Sequence, residues 1–432
     1  MAAPDLAAVS HLQDPAFQET WQEAYDTFYS SVPDNNILSA AIPGAKKYTL
    51  GEDGSVIFSV QLSTGGSGAT LKDGAKNPRP GKPVNKKGKT KLVWHYDSFE
   101  LGGQRMALNG RSASFVDDLE DNYNALLKRT ADDMERQANG DGRGILCVIK
   151  TIVGAPTYGV EKPYGKAVGA GTMLLKEEMN VAIVSPAGVV RGTTTIETYD
   201  HSNETMECAG AVAGVQIGDF VVRTNGASGS DLQHSLDAEA NGIMQFTSNG
   251  DVCMGIDGAE HRRWNAVRMQ NDASPGTGRK VTEAMVSSLA RRVKVNTGAM
   301  QTTTPFHYTT DQIALDLAEE IAGRLRTAGS TKVQKGGFEY VEINGTQIAT
   351  SPIAPRGQYR ILNFAKNVIG KLELSGHPGF LGYGRGKAAL RFREDYNTVY
   401  SVFERPHNVI LHQRNCHGEL VDLTDDKGYT DN

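Results

Sequence analysis

The chain has 432 residues, 39% of them hydrophobic and 22% charged, with 48 glycines against 7% aromatics. That length supports two or three domains, each with its own core, and the glycine excess points to a β-rich, turn-rich architecture. A net charge of −5 excludes a surface that grips nucleic acid throughout, but eight basic residues and one acid between Lys72 and Lys91 put +7 there and leave −12 for the rest.

At the N-terminus, MAAPDLAAVSHLQD has an early acid and no basic start, so it does not read as a secretory signal. Asp14 and Pro15 open an expected helix to Tyr29, on which Phe17, Trp21, Tyr25 and Phe28 form one aromatic stripe. A connector punctuated by Pro33, Pro43 and Gly44 follows. Strands are expected at 55–62 and 91–99, and the glycine- and proline-rich stretch between them cannot build a core. It reads as a long hairpin arm, because loops of that length are uncommon in compact domains unless functional.

Next comes the longest expected helix, 114–138. Phe115, Leu119, Tyr123, Leu126, Leu127, Thr130, Met134 and Ala138 form an apolar stripe, and acids crowd its first half. Asp117, Asp118, Asp132, Asp133, Glu135 and Arg136 lie on the other face, which reads as a solvated surface. After the corner Asn139-Gly140-Asp141-Gly142-Arg143-Gly144 the texture changes to short β-like runs: ILCVIKTIV, MNVAIVSP, FVVRT and GIMQFTS. Helices are expected at 282–296, capped by Thr282, and at 309–326. Asn344-Gly345 marks a hairpin, and KAALRFREDYNTVYSVFER reads as the last strong strand. The fold class is α+β with an arm at the front.

No catalytic motif survives inspection. The 139–144 corner lacks the terminal Glu of a calcium loop and runs helix to strand, opposite to a phosphate loop, so it reads as a turn whose glycines supply positive φ. GYGRGKA at Gly382 has Leu381 and Ala388 where a phosphate loop needs Gly and Ser or Thr. GASGSD at Gly226 does not match a nucleophile elbow. The ten histidines show no metal-binding spacing, and Cys147, Cys208, Cys253 and Cys416 are scattered and read as reduced thiols. No apolar run reaches the ~20 residues of a membrane helix, so an aqueous, reducing compartment is expected.

The order of these elements resembles the major capsid proteins of tailed bacteriophages, the Hong Kong 97-type fold. NGDGRGILCVI after the long helix, AGVQIGDFVV, GIDGAEHRRWNAVRMQND and KGGFEYVEINGTQIATSP leading to RGQYRILNF carry the resemblance, which spans about residues 10–423. It implies an N-terminal arm at 1–50, an extended hairpin loop at 51–102 and a peripheral domain with the spine helix at 103–150. An axial domain at 151–380 and a returning peripheral strand with the C-terminal segment at 381–432 complete it.

The resemblance implies intersubunit contacts through Phe17, Trp21 and Tyr25 of the arm and Lys76, Arg79, Lys82, Lys86, Lys87 and Lys89 of the loop. It implies no catalytic residue, cofactor or metal, and no membrane. The expected partners are copies of the chain in hexamers and pentamers, a portal protein, a separate scaffolding protein, decoration proteins, and double-stranded DNA enclosed rather than specifically bound. A scaffolding extension is not expected ahead of a helix that begins by Asp14. The implied place is the virion, after assembly in the host cytoplasm. Some members join a lysine to an asparagine between subunits, and Lys86, Lys87 and Lys89 lie in the corresponding loop without a specified partner.

Three alternatives stay open. One is a nanocompartment shell of the encapsulin kind. Another is an α+β hydrolase or transferase whose site no motif marks. The third, a nucleic-acid module at 72–91, lacks aromatics for base stacking.

Overall fold

The computed structural model describes residues 37–44, 51, 53–63, 76, 81–102, 113–161, 171–226, 232–271, 274, 278–297, 305–328, 342–343, 346–351, 353–373, 379–380, 391–392 and 398–424. The expected N-terminal helix, with Phe17, Trp21 and Tyr25, lies outside them, as does Arg79.

A short helix α1 (Ile37–Ala41) precedes the antiparallel hairpin of β1 (Ser55–Ser63) and β2 (Val84–Lys91). Along β1 the period of two is plain, with Val56, Phe58 and Val60 buried and Ile57 60% exposed. Gly88 sits opposite Phe58, and a Cβ there would lie 2.6 Å from the ring. A strand does form where 91–99 was expected, at Val93–Gly102, but it is not the return strand of the hairpin: β2 pairs with β1 from Lys91↔Ser55 to Val84↔Ser63, inside the stretch read as coreless. The reason is that β2 buries only Gly88 and Thr90, small residues that leave no hydrophobic alternation in the sequence.

After Leu92 the chain leaves the hairpin as β3 (Val93–Gly102), followed by the long helix α2 (Ala113–Asn139). Its 27 residues span about 40 Å. Leu126, Thr130, Met134 and Ala138 are buried at four-residue spacing, as the apolar stripe requires.

Six strands then close a barrel: β4 (Ile145–Gly154), β5 (Thr157–Glu161), β6 (Asn180–Val184), β7 (Val190–Asp200), β8 (Thr205–Cys208) and β9 (Phe220–Arg223), in the order β4-β5-β8-β7-β6-β9. Ile149, Tyr158, Val160, Ile183, Met206 and Val221 belong to its interior.

GIMQFTS, expected as a β-run, is instead the helix α3 (Ile243–Thr247). Ile243 and Phe246, three apart, are both buried, which suits one helix face and not an alternating strand. Gly242 lets this helix approach the end of α2, because a Cβ on it would lie 2.4 Å from both Gln137 O and Gly140 O. Arg414, fully buried, donates to Gln245 O at 3.0 Å and Phe246 O at 3.3 Å, satisfying carbonyls at the helix end.

The small hairpin β10 (Val252–Cys253) and β11 (Ile256–Asp257) leads to a 3-10 turn at Arg262–Trp264 and β12 (Val267–Met269). Helix α4 (Glu283–Thr297) begins at the expected Thr282, whose Oγ1 accepts the Met285 N–H at 3.3 Å. Then come β13 (Phe306–Thr309), α5 (Asp311–Ala328), β14 (Glu342–Ile343), β15 (Thr346–Thr350) and β16 (Tyr359–Leu362). Ile343 pairs with Thr346, as the Asn-Gly turn signal anticipates.

The last strands are β17 (Ile369–Glu373), β18 (Gly379–Phe380), β19 (Arg391–Phe392), β20 (Thr398–Leu411) and β21 (Gly418–Leu420). A six-stranded sheet, β12-β21-β16-β13-β15-β14, carries α4 and α5 through Val286, Leu289, Ile313 and Leu317. The second large sheet is built on β20, which pairs with β17, β18, β19 and β3. The single strand expected at 387–405 and on into HNVILHQ is thus corrected in its first part to a reversal, since β19 pairs antiparallel with β20 through Arg391↔Tyr400. Strand β20 also runs on through Pro406 to Leu411.

Candidate functional site

The polar end of α2 is where the sheets meet. Asp133 Oδ1 accepts from Arg136 Nε at 2.9 Å and lies 3.0 Å from Arg223 Nη1 of β9. Its Oδ2 accepts from Gln137 Nε2 at 2.9 Å and faces His95 Nδ1 of β3 at 3.3 Å. Arg136 in turn grips Glu239 with both terminal nitrogens, Nη1 donating at 2.8 Å and Nη2 at 2.5 Å. Such a fork-to-carboxylate pair adds geometric specificity to its charge.

The next residues repeat the pattern. Glu135 Oε2 accepts the Leu38 N–H of α1 at 3.1 Å, Tyr308 of β13 donates to Asn139 Oδ1 at 2.8 Å, and His407 Nε2 of β20 lies 3.2 Å from Gln137 Oε1. The Leu38 backbone of α1 and side chains from β3, β9, β13 and β20 thus converge on two helical turns. The reading of Asp133, Glu135 and Arg136 as a solvated face is overturned, for Asp133 is only 3% exposed and the other two are buried. Asp132 keeps to the surface, paired with Lys176 at 3.0 Å.

Burial by itself would raise the Asp133 carboxyl, but the guanidiniums of Arg136 and Arg223 outweigh it and hold the group well below the usual carboxylate range. Burial lowers His95, so at neutral pH it faces Asp133 as a neutral imidazole, with Nδ1 3.3 Å from Oδ2. These perturbed groups neutralise one another in a closed network, the arrangement of a structural clamp and not of an acid–base pair facing a cleft.

The corner beyond α2 is a turn, as read. Gly142 and Gly144 have φ of +82° and +72°, and Arg143 N–H donates to Asp141 Oδ1 at 3.0 Å. Gly144 also abuts the 232–242 segment, where a Cβ would lie 2.2 Å from Ser235 O.

On the surface, Lys76, Lys82, Lys86 and Lys87 are exposed. Lys89 is engaged within its own chain, donating to Asp53 Oδ2 at 2.9 Å at the hairpin root. The structure therefore separates the basic residues expected to act together: Lys89 anchors the hairpin, while Lys86 and Lys87 lie farther along it. Trp94 and Tyr96 stack on the exposed face of β3 with ring centroids 6.4 Å apart, a surface the sequence reading did not single out. Their alternation with inward His95 and Asp97 was the available signal.

Buried histidines give the fold a pH dependence, His417 and His307 along with His407, which burial pushes down to about 3. His417, whose Nδ1 accepts the Asn363 N–H at 3.3 Å, is pushed down to about 3 by burial and by Arg414, and His307 to about 4 by burial. All three stay neutral when folded, whereas unfolded histidines take a proton below about 6.5, so their stabilisation is full above that pH and is lost as pH falls toward 4. Glu419, which burial raises, works in the opposite direction. The urea midpoint is expected to fall from pH 6.5 to 4.5, at up to about 1.4 kcal/mol per unit for each histidine, and a His417→Gln variant flattens the slope.

Among the described residues no three His, Cys, Asp or Glu side chains gather to hold a metal ion, and no helix is long and apolar enough to cross a membrane. The four cysteines are free and buried, and burial pushes the Cys208 thiol up to about 11 and Cys253 to about 12. A groove of about 1740 Å³ beside β12 and α4 has no Asp, Glu, His or Cys in its lining.

No protein-family model matches the sequence, and no curated protein matches it. Solved structures similar to the chain include the cyanophage A-1(L) capsid asymmetric unit, at 10% identity and a TM-score of 0.49, covering 88% of this chain and 91% of that one. The procapsid of satellite phage P4 with its size determination protein is similar at 9% identity and a TM-score of 0.43, covering 93% and 91%. The holo-SrpI encapsulin complex from Synechococcus elongatus is similar at 10% identity and a TM-score of 0.42, covering 89% and 87%.

Proposed function

We propose that the chain is the major capsid protein of a tailed bacteriophage, assembling through hexamers and pentamers into an icosahedral shell around double-stranded DNA. The observation that carries this reading is the β1–β2 ribbon. Its root is packed in the chain's own core through Val56 and Phe58, while Val84 to Lys87 on β2 are all exposed. A two-stranded ribbon is marginally stable by itself, so its outer part gains order from a surface outside the subunit. The acidic remainder of a neighbouring copy supplies such a surface, and many weak, screened contacts of this kind add up over a shell.

The clamp at the end of α2 supports the same reading. It ties the barrel, both large sheets and α1 to one rod, which suits a subunit that must transmit contact forces without deforming. In this assignment residues 1–50 form the N-terminal arm, the extended loop narrows to 51–91, β3 joins α2 and β20 in the peripheral domain, and the axial domain lies mainly within 151–380. A portal protein, a scaffolding protein and decoration proteins are the implied partners, and the virion the implied location.

Electron microscopy of the expressed chain tests this. Closed shells or rings are expected, and a stable monomer at high concentration would sink the reading. Shells filled with protein cargo and no DNA would point to the nanocompartment alternative. Replacing Lys82, Lys86 and Lys87 by Glu leaves the subunit folded and blocks shell formation. Normal shells from that variant would remove the ribbon from the assembly contact.

A further inference from the structure

The groove beside α4 is lined by Arg262 and Arg263 of the 3-10 turn, Arg268 of β12, and Arg291 and Arg292 of α4. Its lining holds no acid, although the protein as a whole is net negative. Arg263 reaches Ser63 Oγ at 3.4 Å, and Arg268 lies 3.4 Å from Glu419. Arg262, Arg291 and Arg292 form no ion pair with the described residues. The elements that carry them are anchored, the turn by buried Trp264 and α4 by buried Val286 and Leu289. Five guanidiniums held around one concavity repel one another, and an anionic partner relieves that repulsion.

The size and the remaining lining narrow the partner. About 1740 Å³ exceeds the roughly 300–1,000 Å³ of small-molecule pockets. No aromatic ring lines the groove to stack a base, whereas Asn249, Asn265 and Asn296 present amides and Val295 an exposed apolar side chain. Amides, apolar spots and guanidinium forks together suit an acidic polypeptide better than a phosphate backbone.

The chain carries the complement. From Gly192 to Val222 there is no lysine or arginine, against Glu197, Asp200, Glu204, Glu207 and Asp219. Glu204 faces Lys150, Asp219 faces Arg191 and Asp200 accepts from Ser202 and Asn203 in its own turn, which leaves Glu197 and Glu207 for an outside partner. Glu197 and Glu207 are exposed on adjoining strands, in the register Ile196↔Cys208 and Thr198↔Glu207. No barrel residue lines the groove, so the two surfaces do not meet within one subunit there.

We propose that the arginine groove receives the β7–β8 ribbon of a second copy, with Glu197 and Glu207 facing Arg262, Arg291 and Arg292. The inference rests on the shell-subunit reading and names one of its contacts. Two different patches meeting head to tail make a heterologous interface, the kind that closes into rings.

Charge reversal on each side tests it. Arg291→Glu with Arg292→Glu, or Glu197→Arg with Glu207→Arg, is expected to lower shell yield by ~10-fold or more in sedimentation and electron microscopy, because like charges then face each other. The melting curve of the unassembled subunit stays unchanged. All four substitutions in one chain restore assembly, since each reversed groove again meets an opposite ribbon. Where reversal impairs folding, Arg291→Gln with Arg292→Gln slows assembly without adding repulsion.

Wild-type shells together with unaffected one-sided variants, or a four-site variant without rescue, overturn this contact alone. A wild-type chain that stays monomeric overturns the shell reading with it. Capture of labelled duplex DNA by the wild-type subunit but not by the groove variant, with shells still forming from that variant, overturns it in favour of nucleic acid.

Discussion

Asp133→Ala is expected to lower the unfolding free energy by about 3–5 kcal/mol, read as a shift in the urea midpoint at pH 7, because it leaves buried guanidinium charge without its carboxylate. Arg136 keeps Glu239, but Arg223 Nη1 loses its 3.0 Å partner and His95 Nδ1 the carboxylate 3.3 Å away. The control is one residue away. Asp132 and Lys176 form a pair about half exposed on each side, so Asp132→Ala costs about 0–1 kcal/mol. Equal losses from the two substitutions would show that the network does not clamp the helix end. Asp133→Asn, which keeps the shape and one acceptor oxygen, should fall between them.

Gly144→Ala is the second large effect, and it combines two costs. At φ +72° an L-side chain meets its own carbonyl, which costs roughly 1–2 kcal/mol. The added Cβ would also lie 2.2 Å from the Ser235 carbonyl oxygen, and forcing the backbones apart adds about 1–3 kcal/mol. Gly188 separates the two, since its φ is +81° but nothing lies within 4 Å of its Cβ position. Gly188→Ala should show only the conformational part. If both substitutions give the same denaturation midpoint, the close approach of the 232–242 segment to the corner is not a constraint.

Much of the fold was legible in the sequence. Helix α2 runs over 113–139 where a periodic stripe placed it at 114–138, and α4 starts where Thr282 caps it. The glycines at 142 and 144 take the positive φ that the corner demanded. In each case the deciding interaction lies within a few residues along the chain.

The misreadings share a different cause. Strand β2 hid because its buried face is Gly88 and Thr90, residues chosen by the ring of Phe58 opposite and by Asn241 and Asn408. Helix α3 passed for a strand because five residues are too few to show a period, and its direction is set by docking on α2 and by Arg414. The reversal between β19 and β20 joined two β-prone runs that the eye merges into one.

The candidate contacts divide the same way. Charge bias marked the hairpin, because a run of lysines is visible wherever it occurs. The arginine groove was invisible, since Arg262, Arg268 and Arg291 come from three separate elements and no local count brings them together.

The sequence by itself determined the long helices α2, α4 and α5, the glycine corner, the Asn-Gly turn and the basic charge of the ribbon, because propensity, capping and left-handed φ are local properties. Only the tertiary structure decided that Asp133 and Arg136 are buried, that the barrel closes and that five arginines share one groove. A partner such as Glu239 lies 103 residues from Arg136, and nothing in the local pattern at either end encodes that distance.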